Sequence, residues 1–203
     1  MIALTLSALV MTVFIALYVA SIKQYTKTLN TARLDQSLQA SLRMMANDIR
    51  RAGFWGNAIS DLSTNTNTNP FNTNDISING AGNCILLSYD QNGDGLLPAV
   101  GAGTDDERYG YRLSNNAIQA RPNGASYLCT AAANVWENIT DPNSVQITAL
   151  SFVKTDRMVT VVSPATMTVR NVVISVTGRL TADNTVTKTL SENVKIRNDK
   201  YTP

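Results

Sequence analysis

The sequence predicts an α+β protein: one long N-terminal helix packed on an antiparallel β-sheet head. Three observations predict it. The chain opens on an uninterrupted apolar run, MIALTLSALVMTVFIALYVASI, with its first charged side chain at Lys23. A helical apolar stripe follows without a breaker, and the last third is rich in Val, Ile and Thr with period-two stretches. No helical pattern separates those final strands, so antiparallel pairing fits better than a parallel βαβ arrangement.

Residues 1–22 would form a helix of roughly 33 Å, against a hydrocarbon core of about 30 Å. Leu, Ala, Met and Ile favour helix, and neither Pro nor Gly interrupts the run. The segment is therefore a transmembrane candidate. The alternative is a cleaved secretory signal. No basic stretch precedes the run, however, and Ala16 and Ala20 follow Phe14 and Tyr18 two places back, not small residues.

From Lys23 to Ala52 the surface changes while the helix signal continues. Leu34, Leu38, Leu42, Met45, Ile49 and Ala52 form a stripe at three- and four-residue spacing. Arg33, Asp35, Arg43, Asp48, Arg50 and Arg51 lie opposite it. Gly53 supplies the stop, and Arg50 and Arg51 sit in the last turn, where the helix dipole favours cations. One continuous helix of about 52 residues, roughly 78 Å long, is expected. Its first half must find lipid or other helices, and its second half must pack on the remaining chain.

The head, 53–203, begins with an irregular Asn/Thr tract at Ser60–Asp75. Phe54 and Trp55, just past the helix, are expected to cap the core. Cys84–Tyr89 reads as a strand. Tyr109–Leu113 and Ala117–Arg121 read as a hairpin turned at Ser114-Asn115-Asn116. Ser144–Val153, Met158–Val162, Arg170–Leu180 and Thr185–Asn198 read as further strands, the last two joined at Ala182-Asp183-Asn184.

Composition leans away from an enzyme. The 203 residues contain no His, which removes Ser-His-Asp and Cys-His catalysis and the commonest zinc ligand. A net charge of +2 argues against a dedicated nucleic-acid binder, and no direct nucleic-acid partner is expected. Asp105-Asp106-Glu107 reads as a solvated loop more readily than as acid–base machinery. Asn138-Ile139-Thr140 matches a glycosylation acceptor, a tripeptide that recurs by chance.

The two cysteines, Cys84 and Cys129, can form one disulfide, as an oxidising, extracytoplasmic location of the head favours. Closing that loop is worth roughly 4 kcal/mol in the chain-entropy model; two buried free thiols are the alternative. Asp90-Gln91-Asn92-Gly93-Asp94-Gly95 places side-chain oxygens at positions 1, 3 and 5 of a loop with Gly at 6, the first half of a calcium loop. Asp90, Asn92 and Asp94 are thus candidate Ca2+ ligands. The twelfth position is Gly101, so Asp105, Asp106 or Glu107 would have to complete the set. Asn-Gly and Asp-Gly are also ordinary turn dipeptides.

Charge and redox readings conflict at first. Lys23–Ala52 carries six Lys/Arg against two Asp, and nothing basic precedes the span. The positive-inside rule alone would then leave the head in the cytoplasm. Both readings hold if the natural N-terminus carries further residues, so the printed chain is expected to begin at an internal Met.

This order of elements resembles the type IV pilins. MIALTLSALV resembles the segment after the processing site of prepilins, commonly G-F-T-L-I-E-L-M-I-A-L. SLRMMANDIRRAGFWG (Ser41–Gly56) resembles the helix end of PilW-type minor pilins, where D-I-R-x-A-G-aromatic is typical. RYGYRLSNNAIQAR (Arg108–Arg121) and the closing VVISVTGRL and ENVKIRNDKY also look like that family. The family's phenylalanine and glutamate are absent; the glutamate would fall two residues before Met1, in agreement with the charge argument. The resemblance implies a pilin-like fold and a minor subunit that helps initiate or cap a pilus. It further implies inner-membrane storage with a periplasmic head. The implied partners are minor and major pilins, the inner-membrane assembly platform and inner-membrane lipid. The bulky minor pseudopilin of a type II secretion system is the sister expectation, and a membrane-tethered periplasmic enzyme or calcium-binding module the one from another class.

Overall fold

The computed structural model describes residues 2–59, 69–98, 107–122, 124, 126–131, 134–162 and 165–202. Within them the chain forms one helix, α1 (Ile2–Arg51), and nine strands. The helix runs unbroken from the apolar segment into the amphipathic one. It ends as the sequence predicts: Gly53 has a φ of +74°, and the Phe54 amide donates to the Arg51 carbonyl at 2.9 Å. A Cβ at position 53 would also sit 3.1 Å from Asp75 Oδ2, so the stop needs glycine twice over.

The head is antiparallel throughout, as expected, but divides into two sheets. The first is a sequential meander of β1 (Ile76–Ile78), β2 (Cys84–Ser88), β3 (Arg108–Ser114), β4 (Ala117–Arg121) and β5 (Glu137–Asn138). Its β3–β4 hairpin turns at Asn115 and Asn116, both at positive φ (51° and 57°), a conformation in which Asn is better tolerated than bulkier residues. The second sheet has β7 (Ala165–Leu180) at its centre. β6 (Val145–Val162) lies on one side of β7; β8 (Thr187–Lys195) and β9 (Lys200–Thr202) lie end to end on the other.

Three sequence expectations need correction. Ser144–Val153 and Met158–Val162 are parts of one strand, because Lys154–Arg157 stay in register with β7 from Val172 to Val169. β7 likewise starts at Ala165 rather than Arg170. The polar stretch of β6 lies beyond the core, where pairing to β7 sustains the strand without apolar burial. Phe54 does not cap the core either; it is 43% exposed.

The core lies where the helix stripe meets both sheets. Leu34, Leu38, Met45, Ala46, Ile49 and Ala52 are completely covered, with Leu42 nearly so. They join Ile85, Leu87, Tyr111 and Ile118 of the first sheet and Val172, Ile174, Val176 and Val194 of the second. Burying one such Leu or Ile contributes about 1.5–3 kcal/mol, so the stripe dominates the docking of the helix. β7 alternates strictly, its even-numbered residues from Arg170 to Leu180 facing in. At Gly178 the helix comes close enough that a Cβ would stand 2.9 Å from Leu38 Cδ2. The sheets meet along β6, where the Ile147 amide donates to Asn116 O at 2.8 Å and the Phe152 amide to Gly82 O at 2.7 Å.

Candidate functional site

Among the described side chains of the helix, the first covered one is Leu34. Before it, about 48 Å of helix projects from the head at 1.5 Å per residue. Up to Ile22 its surface is apolar and open: Leu6, Leu9, Met11, Phe14, Leu17 and Tyr18 are each more than 60% exposed. The most apolar stretch has a mean hydropathy of 2.0 and none of it is covered by the rest of the chain. By length and composition this helix can cross a membrane. Threonine hydroxyls along it bond to the helix's own carbonyls: Thr12 donates to Leu9 O at 2.7 Å and Thr26 to Ile22 O at 3.0 Å. Those bonds let the groups enter an apolar medium with a partner already in hand.

Where the rod meets the head, charge assists the stripe. Asp35 pairs with Lys188 at 2.6 Å and Arg50 with Glu192 at 2.7 Å, both to β8. Asp35 and Arg50, two of the six charged residues expected opposite the stripe, are therefore turned to the head, a correction to that expectation. These pairs are one-third exposed and are worth about 0.2–1 kcal/mol each. Asp48 is placed differently. Its carboxylate accepts the hydroxyls of Tyr111 and, at 3.4 Å, Tyr89. Arg51 lies 4.3 Å over the Tyr89 ring, which stacks on Tyr109 at 4.4 Å. Burial, and then the nearby Asp48 charge, hold both Tyr89 and Tyr111 well above the usual phenol range.

The predicted loop is brought together with one of its three suggested completing carboxylates. Asp90, Asp94 and Glu107 each place a carboxylate oxygen within 4.8 Å of the other two. Asp90 is fully buried and organises the loop, its Oδ1 accepting the Gly93 amide at 2.6 Å and its Oδ2 the Gly56 and Gly95 amides at 2.8 and 2.9 Å. Asn92 turns toward Asp94 and donates to its Oδ2 at 2.9 Å. Asp105 and Asp106 lie outside the described residues. Trp55 does not cap the core from above; its indole N–H donates to Gly95 O at 2.8 Å and pins this loop. Burial pushes the Glu107 carboxyl up, the Gln91 and Asn92 amides pull it down, and the Asp90 and Asp94 charges push it up again.

Cys84 and Cys129 are bonded, tying β2 to the segment after β4 across 45 residues of chain. The Thr140 hydroxyl accepts the Ile118 amide at 2.9 Å inside the head, while Asn138 sits exposed on β5. A buried cluster went unread in the sequence. Arg170 on β7 pairs with Asp75, and Lys200 reaches the same carboxylate at 3.1 Å, beside a cavity of about 390 Å³. The available signal was Arg170's place on the core-facing parity of β7.

An apolar, uncovered helix that continues without a break into the core of an antiparallel β head defines a pilin-like layout. Its exposed apolar surface is the rod itself. The chain belongs to the pilus-related family PpdB, prepilin peptidase-dependent protein B, whose family model matches residues 27–196. Neither a curated protein nor a solved structure matches it.

Proposed function

We propose that this chain is a PilW-type minor pilin, a subunit that helps initiate or cap a type IV pilus together with partner minor pilins. The observation that carries this reading is the exposed apolar surface from Leu6 to Ile22, on the same unbroken helix as a stripe that is buried from Leu34 onward. A surface of that size has a large free-energy cost in water. Inner-membrane lipid covers it while the subunit is stored, with the head on the periplasmic side. Neighbouring pilin helices cover it in the fibre. Both environments are dry and apolar, so an assembly platform can move the rod from one to the other without lasting exposure to water. The product of this protein is an interface and not a chemical turnover. The family match and the absence of His from the sequence support that reading.

A strain lacking this protein tests it. The expected result is loss or sharp reduction of surface fibres and of fibre-dependent twitching or DNA uptake, restored by the wild-type gene and not by one encoding Phe14→Arg. Normal fibres in the deletion strain, with loss of protein secretion instead, would point to the type II secretion pseudopilin. Normal fibres and normal secretion would end the fibre-subunit reading altogether.

A further inference from the structure

We propose that Asp90, Asp94 and Glu107 form a calcium site that fastens the end of the helix to the β2–β3 connection. Three independent observations meet there. The first is the sequence pattern, with oxygen side chains at 90, 92 and 94 and glycine at 95. The second is convergence: carboxylates from both ends of a long connection lie within 4.8 Å of one another, and none of the three forms an ion pair with a Lys or Arg among the described residues. The third is a buried oxygen without a partner. Glu107 is 2% exposed; its Oε1 accepts the Gln91 and Asn92 amides at 2.6 and 3.3 Å, while its Oε2 has no hydrogen-bond partner. Buried carboxylate oxygens are normally satisfied, and an orphan one on a glutamate clustered with two further carboxylates calls for a cation.

The donor set selects the ion. Every available ligand is an oxygen, no His exists in the chain, and both cysteines are bonded to each other. Hard cations favour such donors. Calcium takes six to eight oxygens in flexible geometry, whereas magnesium requires a near-ideal octahedron and parts reluctantly with water. Here three carboxylates leave several positions to backbone carbonyls and water. That places the affinity in the range of extracellular modules, with a Kd of about 0.1–1 mM.

The consequence is mechanical. The loop already grips the helix exit: Asp90 N donates to Phe54 O at 2.9 Å, Gly56 N to Asp90 Oδ2 and the Trp55 indole to Gly95 O. A bound ion neutralises the mutual repulsion of the three carboxylates and stiffens the joint between rod and head.

The test is calorimetric titration of the full chain in detergent micelles, stripped of divalent ions by a chelator, with calcium chloride. The expected result is saturable binding of one ion per chain at about 0.1–1 mM, with a melting temperature that climbs as calcium is added. Asp94→Asn, at an exposed position, and Glu107→Gln should each weaken binding tenfold or more. Should Glu107→Gln fail to fold, Asp94→Asn decides alone. No saturable heat and an unmoved melting temperature with wild type overturn the proposal, as does wild-type affinity in Asp94→Asn. Magnesium bound as tightly as calcium overturns the choice of ion.

Discussion

Tyr111 of β3 donates its hydroxyl to the Asp48 carboxylate on the helix, and the ring behind that hydroxyl is 2% exposed. The helix lies chiefly over β7 and β8, so this bond ties it to the other sheet. A hydrogen bond to a charged acceptor is worth about 1.5–3 kcal/mol. Tyr111→Phe should cost an amount in that range in urea unfolding. Asp48→Ala should cost more, because it strands a buried phenol and also removes the Tyr89 contact. The two should not be additive: in an Asp48→Ala background, Tyr111→Phe should cost close to nothing. Full additivity would show that the two groups do not interact in solution.

The same pair sets behaviour at high pH. Burial and the Asp48 charge raise the folded pKa of Tyr89 and Tyr111 above the unfolded value of about 10. A raised folded pKa contributes stability that is present below the unfolded value and drains away as pH rises above it. Alkaline unfolding and ionisation of these two tyrosines should therefore coincide when tyrosinate absorbance and circular dichroism are followed together. The Tyr111→Phe variant should show a smaller coincident absorbance step. Ionisation of both residues in a still-native protein would contradict the arrangement.

Much of this architecture was legible because its signals were redundant. The helix is marked by propensity, by an unbroken apolar run, by the stripe from Leu34 to Ala52 and by Gly53, and each agrees with the others. The β3–β4 hairpin was marked by Asn115-Asn116. What stayed hidden depends on neighbours rather than on local pattern. β1 and β5 are three and two residues long and exist because β2 and β4 offer them an edge. Lys154–Arg157 looks like a break because it is polar, yet the backbone ladder to β7 carries it. Within the loop at 90–95 the local half of the cluster was legible, whereas Glu107 was one of three equal choices until the chain folded back. Charged residues on a core-facing parity, Arg170 on β7 and Lys188 and Glu192 on β8, were signals of partners not yet in view.

Arg170 and Asp75 are 2% and 3% exposed, which makes their ion pair the most enclosed one among the described residues. Removing one member of such a pair leaves an unpaired buried charge and costs about 3–5 kcal/mol. Arg170→Met should therefore lower stability by about that amount. The deficit should be only partly offset by Lys200, which is less buried at 31% exposure. Arg170→Met combined with Asp75→Leu should recover much of the loss, since both charges are gone. Urea midpoints of the three variants give the comparison. A double variant no better than the worse single one would mean that packing, and not charge, is what the site requires.

The division between rod and head can be tested by shortening the chain. Every side chain described before Leu34 is exposed or half-covered, and the core assembles from Leu34 onward. A chain beginning at Lys27 keeps the entire stripe, the Asp35–Lys188 and Arg50–Glu192 pairs and the Asp48 cluster. It loses the exposed apolar surface of the rod. The shortened protein should be soluble without detergent and should melt cooperatively within a few degrees of the full chain in micelles, with Cys84 and Cys129 still bonded. Moving the start past Leu38 removes two fully covered leucines, at about 2–5 kcal/mol for each lost side chain, and stability should fall steeply there. If stability instead declines gradually from the first residues removed, the projecting half packs on the head and the rod is not a free interface.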